Sequence, residues 1–158
     1  MVALGDDFSD LLVALADEGA EFMVVGGWAL ALHGHGRGTD DLDVWVRASP
    51  DNAARVFRAL TRFGAPVSAH RISARDFETE GYGYRFGIKP HLIEVLTDIS
   101  GVEFDEAWPS RQGFNLEGRE LWYIDRHALL ANKRAAGRPK DMADVQWLLD
   151  NPASSPDE

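Results

Sequence analysis

Apolar and polar positions alternate along this chain in two rhythms, one near 3.6 residues and one near 2. Residues 7–18 (DFSDLLVALADE) set Phe8, Leu11, Leu12 and Leu15 on one helical stripe, with Asp6 or Asp7 to cap it and Gly19 just past its end. Residues 22–25 (FMVV) are a short continuous apolar run, as expected of a central strand covered on both faces. Trp28 to His33 are strong helix formers after two glycines, and Gly34 and Gly36 end that run. Residues 42–47 (LDVWVR) alternate and are rich in β-formers, which predicts a strand.

Ser49-Pro50-Asp51 starts a helix that runs to about Phe63, with Ala53, Val56, Phe57 and Leu60 inward and Gly64 as its stop. Residues 65–80 predict a short strand and a weak helix near 73–79. Residues 82–88 and 91–97 predict two antiparallel strands joined across Lys89-Pro90. A helical turn follows at 103–108, and 113–124 reads as a hairpin or a strand. Asp125 caps a helix from Arg126 to Ala136, closed by Gly137. Pro139 opens a last helix whose stripe is Met142, Val145, Leu148 and Leu149. The pattern is that of an α+β fold, a small mixed sheet flanked by helices. Residues 1–150 form one domain, and the polar stretch 151–158 is expected to be a disordered tail.

Composition narrows the function. The 158 residues suffice for one well-packed core, with 45% hydrophobic and 27% charged residues. No apolar run approaches the ~20 residues of a membrane helix, and the N-terminus lacks the features of a secretory signal. There is no cysteine, which excludes disulfides and thiolate zinc sites and fits a cytoplasmic protein. A formal net charge of -10 argues against strong duplex DNA binding, which rests on neutralising phosphates. It leans toward a small-molecule or protein partner.

The chemistry concentrates in Phe22–Val46, FMVVGGWALALHGHGRGTDDLDVWV. An apolar strand ending in Gly26-Gly27 lets backbone amides approach a ligand, and the helix start behind them favours anions. Asp41 and Asp43 are two apart in a β-like run, so both carboxylates share a face. A phosphate cradle beside paired carboxylates points to metal-assisted chemistry on a nucleotide. Glu94, the one acid within the apolar strand HLIEVLT, is the candidate third carboxylate, because such a strand seldom turns a charge inward unpaired. Magnesium, which prefers hard oxygen ligands and substrate phosphates, suits such a set.

These residues resemble the nucleotidyltransferase superfamily, whose pattern is a strand, Gly-Gly or Gly-Ser, a helix, and Asp-x-Asp or Asp-x-Glu on the next strand. Here Gly26-Gly27 is followed by thirteen residues and then Asp41-Leu42-Asp43, which sets Asp40 aside. GGWALALHGHGRGTDDLDV is similar to a small single-domain bacterial branch that includes abortive-infection-type toxins. The segment DRHALLANKRAAGRPKDMADVQWLL resembles that branch's C-terminal helices, with Lys133, Lys140, Asp141 and Asp144 at matching places. The resemblance implies transfer of a nucleoside monophosphate from an NTP such as ATP to an acceptor, with loss of pyrophosphate. It implies that Gly26 and Gly27 cradle the triphosphate, and that Asp41, Asp43 and Glu94 are catalytic and hold magnesium, two ions in all. It gives Lys133 a triphosphate contact, Arg37 and Thr39 a phosphate or loop-fixing role, and Glu94 a part in deprotonating the acceptor. The acceptor would be tRNA or another RNA, a protein or a small molecule, and a toxin would bring an antitoxin protein as partner.

Plainer readings stand beside these. Gly26-Gly27 is also an ordinary turn, Asp41 and Asp43 a solvated strand face, Glu94 a strand residue paired with Arg85, and Lys133 an exposed helix lysine. Arg37 has a plain role too, as a partner of Asp40 or Asp41, and Asp141 as a helix-dipole acid. His33 and His35 lack a third nitrogen or sulfur ligand nearby, so zinc is disfavoured. For the whole protein the alternatives are a catalytically silent nucleotide- or protein-binding member of the fold, or an antibiotic-modifying nucleotidyltransferase.

Overall fold

The computed structural model describes residues 5–36 and 39–153. Arg37 and the end of the expected tail, 154–158, lie outside them. Among the described residues six strands form one mixed open sheet, and helices pack around it: the fold is α+β. No helix among them is long and apolar enough to cross a membrane.

The elements are α1 (Asp6–Asp17), β1 (Phe22–Val25), α2 (Gly26–Leu32), β2 (Asp41–Val46), α3 (Pro50–Phe63), β3 (Gly83–Phe86) and β4 (Leu92–Leu96), then α4 (Phe104–Ala107), β5 (Gln112–Leu116), β6 (Arg119–Tyr123), α5 (Arg126–Ala136) and α6 (Pro139–Asp150). Their order across the sheet is β3-β4-β2-β1-β6-β5. The central strands β1 and β2 run antiparallel, with Phe22 opposite Val46 and Val25 opposite Asp43. β4 lies parallel to β2, β6 parallel to β1, and β3 and β5 are antiparallel edges.

The strand rhythm does what period-2 alternation dictates. Leu42, Val44, Ile93 and Val95 enter the core with the stripe of Phe8, Leu11, Leu12 and Leu15 on α1 and with Ala53, Val56 and Leu60 on α3. The opposite face of β2 and β4 carries Asp41, Asp43 and Glu94, followed along the strands by Trp45, buried against Phe104, and Leu96. One buried side chain ties the central pair to α3: Asn52 accepts from the Glu21 N–H at 2.7 Å and donates to the Glu21 and Arg47 carbonyls at 3.0 and 2.9 Å. It therefore clamps the start of β1 to the end of β2. Ser49 caps α3 by accepting from the Asn52 N–H, and Gly64 ends it with φ of 93°.

Two expectations change, and the hairpin alternative at 113–124 is borne out. The short strand expected within 65–80 does not form; the chain turns at 67–71 and makes a 3₁₀ turn at Ala74–Phe77, anchored by the fully buried Phe77. Residues 112–123 are a hairpin, because Glu117 and Gly118 both take positive φ (50° and 81°), the backbone of a type I′ turn. The inward face of α6 is not the stripe Met142, Val145, Leu148, Leu149. Met142 and Leu149 are 47% and 46% exposed, and Asp141 and Asp144 are buried beside Val145 and Leu148. A buried lysine on α5 is the reason.

Candidate active site

The acidic face of the sheet forms one wall of a cleft of about 610 Å³, and α5 and α6 form the other. Each strand places its acid by register. Asp43 on β2 is the neighbour of Glu94 on the parallel β4, and of Val25, the last residue before the glycine turn, on β1. Asp41 lies two residues before Asp43 on the same face, while Asp40 is exposed at the start of the strand. Asp41, Asp43, Glu94, Gly26, Gly27, Thr39 and Lys133 all line the cleft.

The two glycines are where the chain and the acids meet most closely. Gly26 has φ of 66°, and a Cβ there would lie 2.3 Å from Asp43 Oδ2. A Cβ on Gly27 would lie 2.8 Å from Thr39 Oγ1. A side chain at either glycine would therefore force the Asp43 or Thr39 side chain to move, and the positive φ of Gly26 disfavours other residues in its own right. Thr39 fixes that loop: its hydroxyl donates to the Asp41 carbonyl at 3.2 Å and accepts from the Asp41 N–H at 3.4 Å. The helix behind the turn begins at Gly26 itself, not at Trp28, and has seven residues. With two turns, α2 offers backbone amides more than a strong macrodipole.

The carboxylates are crowded. Burial, then the neighbouring Glu94 and Asp41, pushes the Asp43 carboxyl up to about 6, against the pull of Lys133 and Lys140. Oδ1 of Asp41 is buried with no hydrogen-bond partner among the described residues. Both features are what a cation would relieve, so the residues present fit a magnesium ion. No three His, Cys, Asp or Glu side chains among the described residues converge into a protein-only coordination shell. Magnesium characteristically completes its shell with substrate phosphates and water, so a set of one or two committed carboxylates is compatible with it. Glu94 also faces the other way, toward Arg85 on β3, with Nη2 to Oε1 at 3.6 Å.

The cationic wall comes from the C-terminal helices. Lys133 is not an exposed helix lysine; it is 5% exposed and lies between Asp141 Oδ1 at 3.4 Å and Asp144 Oδ2 at 3.2 Å. Asp141 also accepts from the Arg138 backbone N–H at 3.2 Å and from Arg138 Nε at 2.6 Å. Burial pushes the Asp141 carboxyl up, but the Arg138 hydrogen bond and Lys133 outweigh it and hold it below the usual carboxylate range. Asp141 is therefore a buried anchor for two cations as well as a first-turn acid. Arg138 and Lys140 flank Lys133 along the cleft. The sequence reading did not single out Arg138. Its signal was the Arg-Pro-Lys-Asp run, in which a cation precedes the first turn of a helix and an acid ends it.

His33 and His35 take no part in this cleft. Burial lowers His33, which donates Nε2–H to the Ile124 carbonyl at 2.8 Å, and His35 stacks on Trp147 at 4.5 Å. No family model matches the chain, and no curated protein matches it.

Proposed function

We propose that this protein is a magnesium-dependent nucleotidyltransferase, moving a nucleoside monophosphate from an NTP to an acceptor and releasing pyrophosphate. The observation that carries the reading is the meeting of Asp41, Asp43 and Glu94 with the Gly26-Gly27 turn on one cleft wall, opposite Lys133, Arg138 and Lys140. Carboxylates facing cations across a cleft suit a ligand that is itself a polyanion bearing a divalent cation.

In this reading Asp41, Asp43 and Glu94 hold magnesium, which when bound offsets charge on the transferring phosphoryl group and makes an acceptor hydroxyl more acidic. The chain's own groups do the rest. The bare backbone at Gly26 and Gly27 lets the triphosphate come close. Lys133, held in place by Asp141 and Asp144, presents a fixed positive charge to the phosphates. The acceptor oxygen bonds to the α-phosphorus as the bond to the β-phosphate oxygen breaks, and Glu94 takes the acceptor's proton. The acceptor we assign is an RNA such as tRNA, a protein or a small molecule, in a cytoplasmic setting. A toxin-like role would add an antitoxin protein as partner. With a net charge of -10, a cationic antibiotic or a protein is favoured over duplex nucleic acid.

A second reading is a nucleotide-binding member that does not transfer, and the Arg85–Glu94 ion pair favours it, since it engages the third carboxylate. Incubation with each α-labelled NTP, magnesium and cell extract separates the two. We expect label on one macromolecule or metabolite, and loss of that label of at least ~100-fold in Asp41→Ala, as removal of a group acting on the transition state costs. Unchanged turnover in Asp41→Ala overturns the catalytic assignment. Absence of label with every NTP moves the protein to the second reading.

A further inference from the structure

Three of the basic side chains that line the cleft, Arg85, Lys133 and Arg138, are held in two different ways. Lys133 is engaged by Asp141 and Asp144, and Arg138 by Asp141, all within the C-terminal helices. Arg85 is engaged by Glu94, its register partner across β3 and β4. The other register partner of Glu94 is Asp43, on the far side of the same strand. The Glu94 carboxylate therefore sits between a guanidinium at the sheet edge and the crowded aspartates at the sheet centre.

The ion pair is of the kind that yields easily. Its 3.6 Å separation is long for a hydrogen bond, and the Arg85 side chain is 62% exposed against 25% for Glu94. β3 is an edge strand, so the arginine can turn toward solvent without disturbing the ladder. On Asp41, by contrast, the buried Oδ1 has no hydrogen-bond partner among the described residues.

We propose that Arg85 is a positioning residue that competes with a divalent cation for Glu94. Without an ion, the guanidinium draws the carboxylate toward the sheet edge and leaves only the two aspartates to ligate. An ion bound with its substrate phosphates outcompetes the arginine, so the cation enters most favourably together with nucleotide. This rests on the metal reading of Asp41, Asp43 and Glu94.

The test is a manganese titration of the full chain without nucleotide, read by isothermal calorimetry and by loss of the free-ion paramagnetic resonance signal. Manganese shares magnesium's preference for carboxylate and water oxygens. Four proteins are compared: wild type, Arg85→Gln, Glu94→Gln and the double variant, each checked for folding by circular dichroism. We expect Arg85→Gln to bind manganese about two- to fivefold tighter than wild type, the range of an exposed ion pair. Glu94→Gln should bind more weakly, and the gain from Arg85→Gln should vanish in its background. Equal or weaker binding by Arg85→Gln overturns the competition. A gain that persists undiminished in the Glu94→Gln background also overturns it, because the arginine would then act through long-range charge alone. Manganese binding by none of the four proteins overturns the metal reading, and the competition with it.

Discussion

Asp43 is placed where its own negative charge is disfavoured. Its carboxyl lies against the backbone of Gly26, beside Glu94 and near Asp41, and is pushed up to about 6 from an ordinary 3.8. The stability consequence follows from proton linkage. Because the folded state holds the proton more tightly than the unfolded chain, the contribution of Asp43 is fully present below its unfolded value and is lost as pH rises through 6. Between pH 4 and pH 7 that loss is about 2 to 3 kcal/mol in metal-free protein. Urea denaturation of wild type and Asp43→Asn across this range should show the asparagine variant gaining on wild type by that amount as pH rises. Parallel pH profiles for the two proteins would refute the strained-carboxylate account. That Asp41 and Asp43 share a face is legible in two-residue spacing. The raised proton affinity is not, because its main causes are burial and the neighbouring Glu94, which only the folded sheet supplies, with Asp41 adding to them.

At the scale of elements, the pair α5 and α6 is joined by charge as much as by apolar packing. Lys133 points from α5 into the interface and meets Asp141 and Asp144 one turn apart on α6. Replacing Lys133 by Met leaves those buried carboxylates without their lysine and should cost about 3 kcal/mol, measured by urea denaturation. Combining it with Asp141→Asn and Asp144→Asn should recover most of the loss. A cost under ~0.5 kcal/mol, the scale of an ordinary surface change, would show the trio to be incidental. Here the hydrophobic rhythm misleads. Met142 and Leu149 complete a stripe with Val145 and Leu148, yet both are half-exposed. A helical wheel prices an aspartate as a surface residue. A wheel has no knowledge of a lysine eight residues earlier that folds back to pair with it.

At the scale of the molecule, the net charge of -10 opposes compaction and repels polyanions. Ion pairs join elements across the surface: Arg119 of β6 with Asp17 of α1, at 2.6 Å from Nε, and Arg58 and Arg62 of α3 with Glu18 at the end of α1, at 3.1 and 2.8 Å. Each such exposed pair is worth little, so screening of the overall repulsion should dominate the response to salt. We expect the melting temperature to rise by about 2–5 °C between ~20 and ~200 mM sodium chloride, and no retention of duplex DNA at ~150 mM salt. A fall in melting temperature over that range would mean that the ion pairs outweigh the repulsion.

The sequence by itself determined the parts that depend on neighbours along the chain. Ser49-Pro50 starting α3, Asp125 capping α5, Gly64 and Gly137 stopping their helices, and the inward residues of α1, β2 and β4 all follow from local hydrogen bonding and period. So does the pairing of Asp41 with Asp43. The tertiary structure alone decided what depends on residues far apart in the chain. It set Glu94 beside Asp43 by parallel register and turned α6 so that Asp141 and Asp144 face Lys133. It also left Glu94 shared between Arg85 and the aspartates. The glycine turn belongs to both levels. Gly26-Gly27 marks the turn in the sequence, and the folded sheet supplies the reason for it, since a Cβ on either glycine would displace the Asp43 or Thr39 side chain.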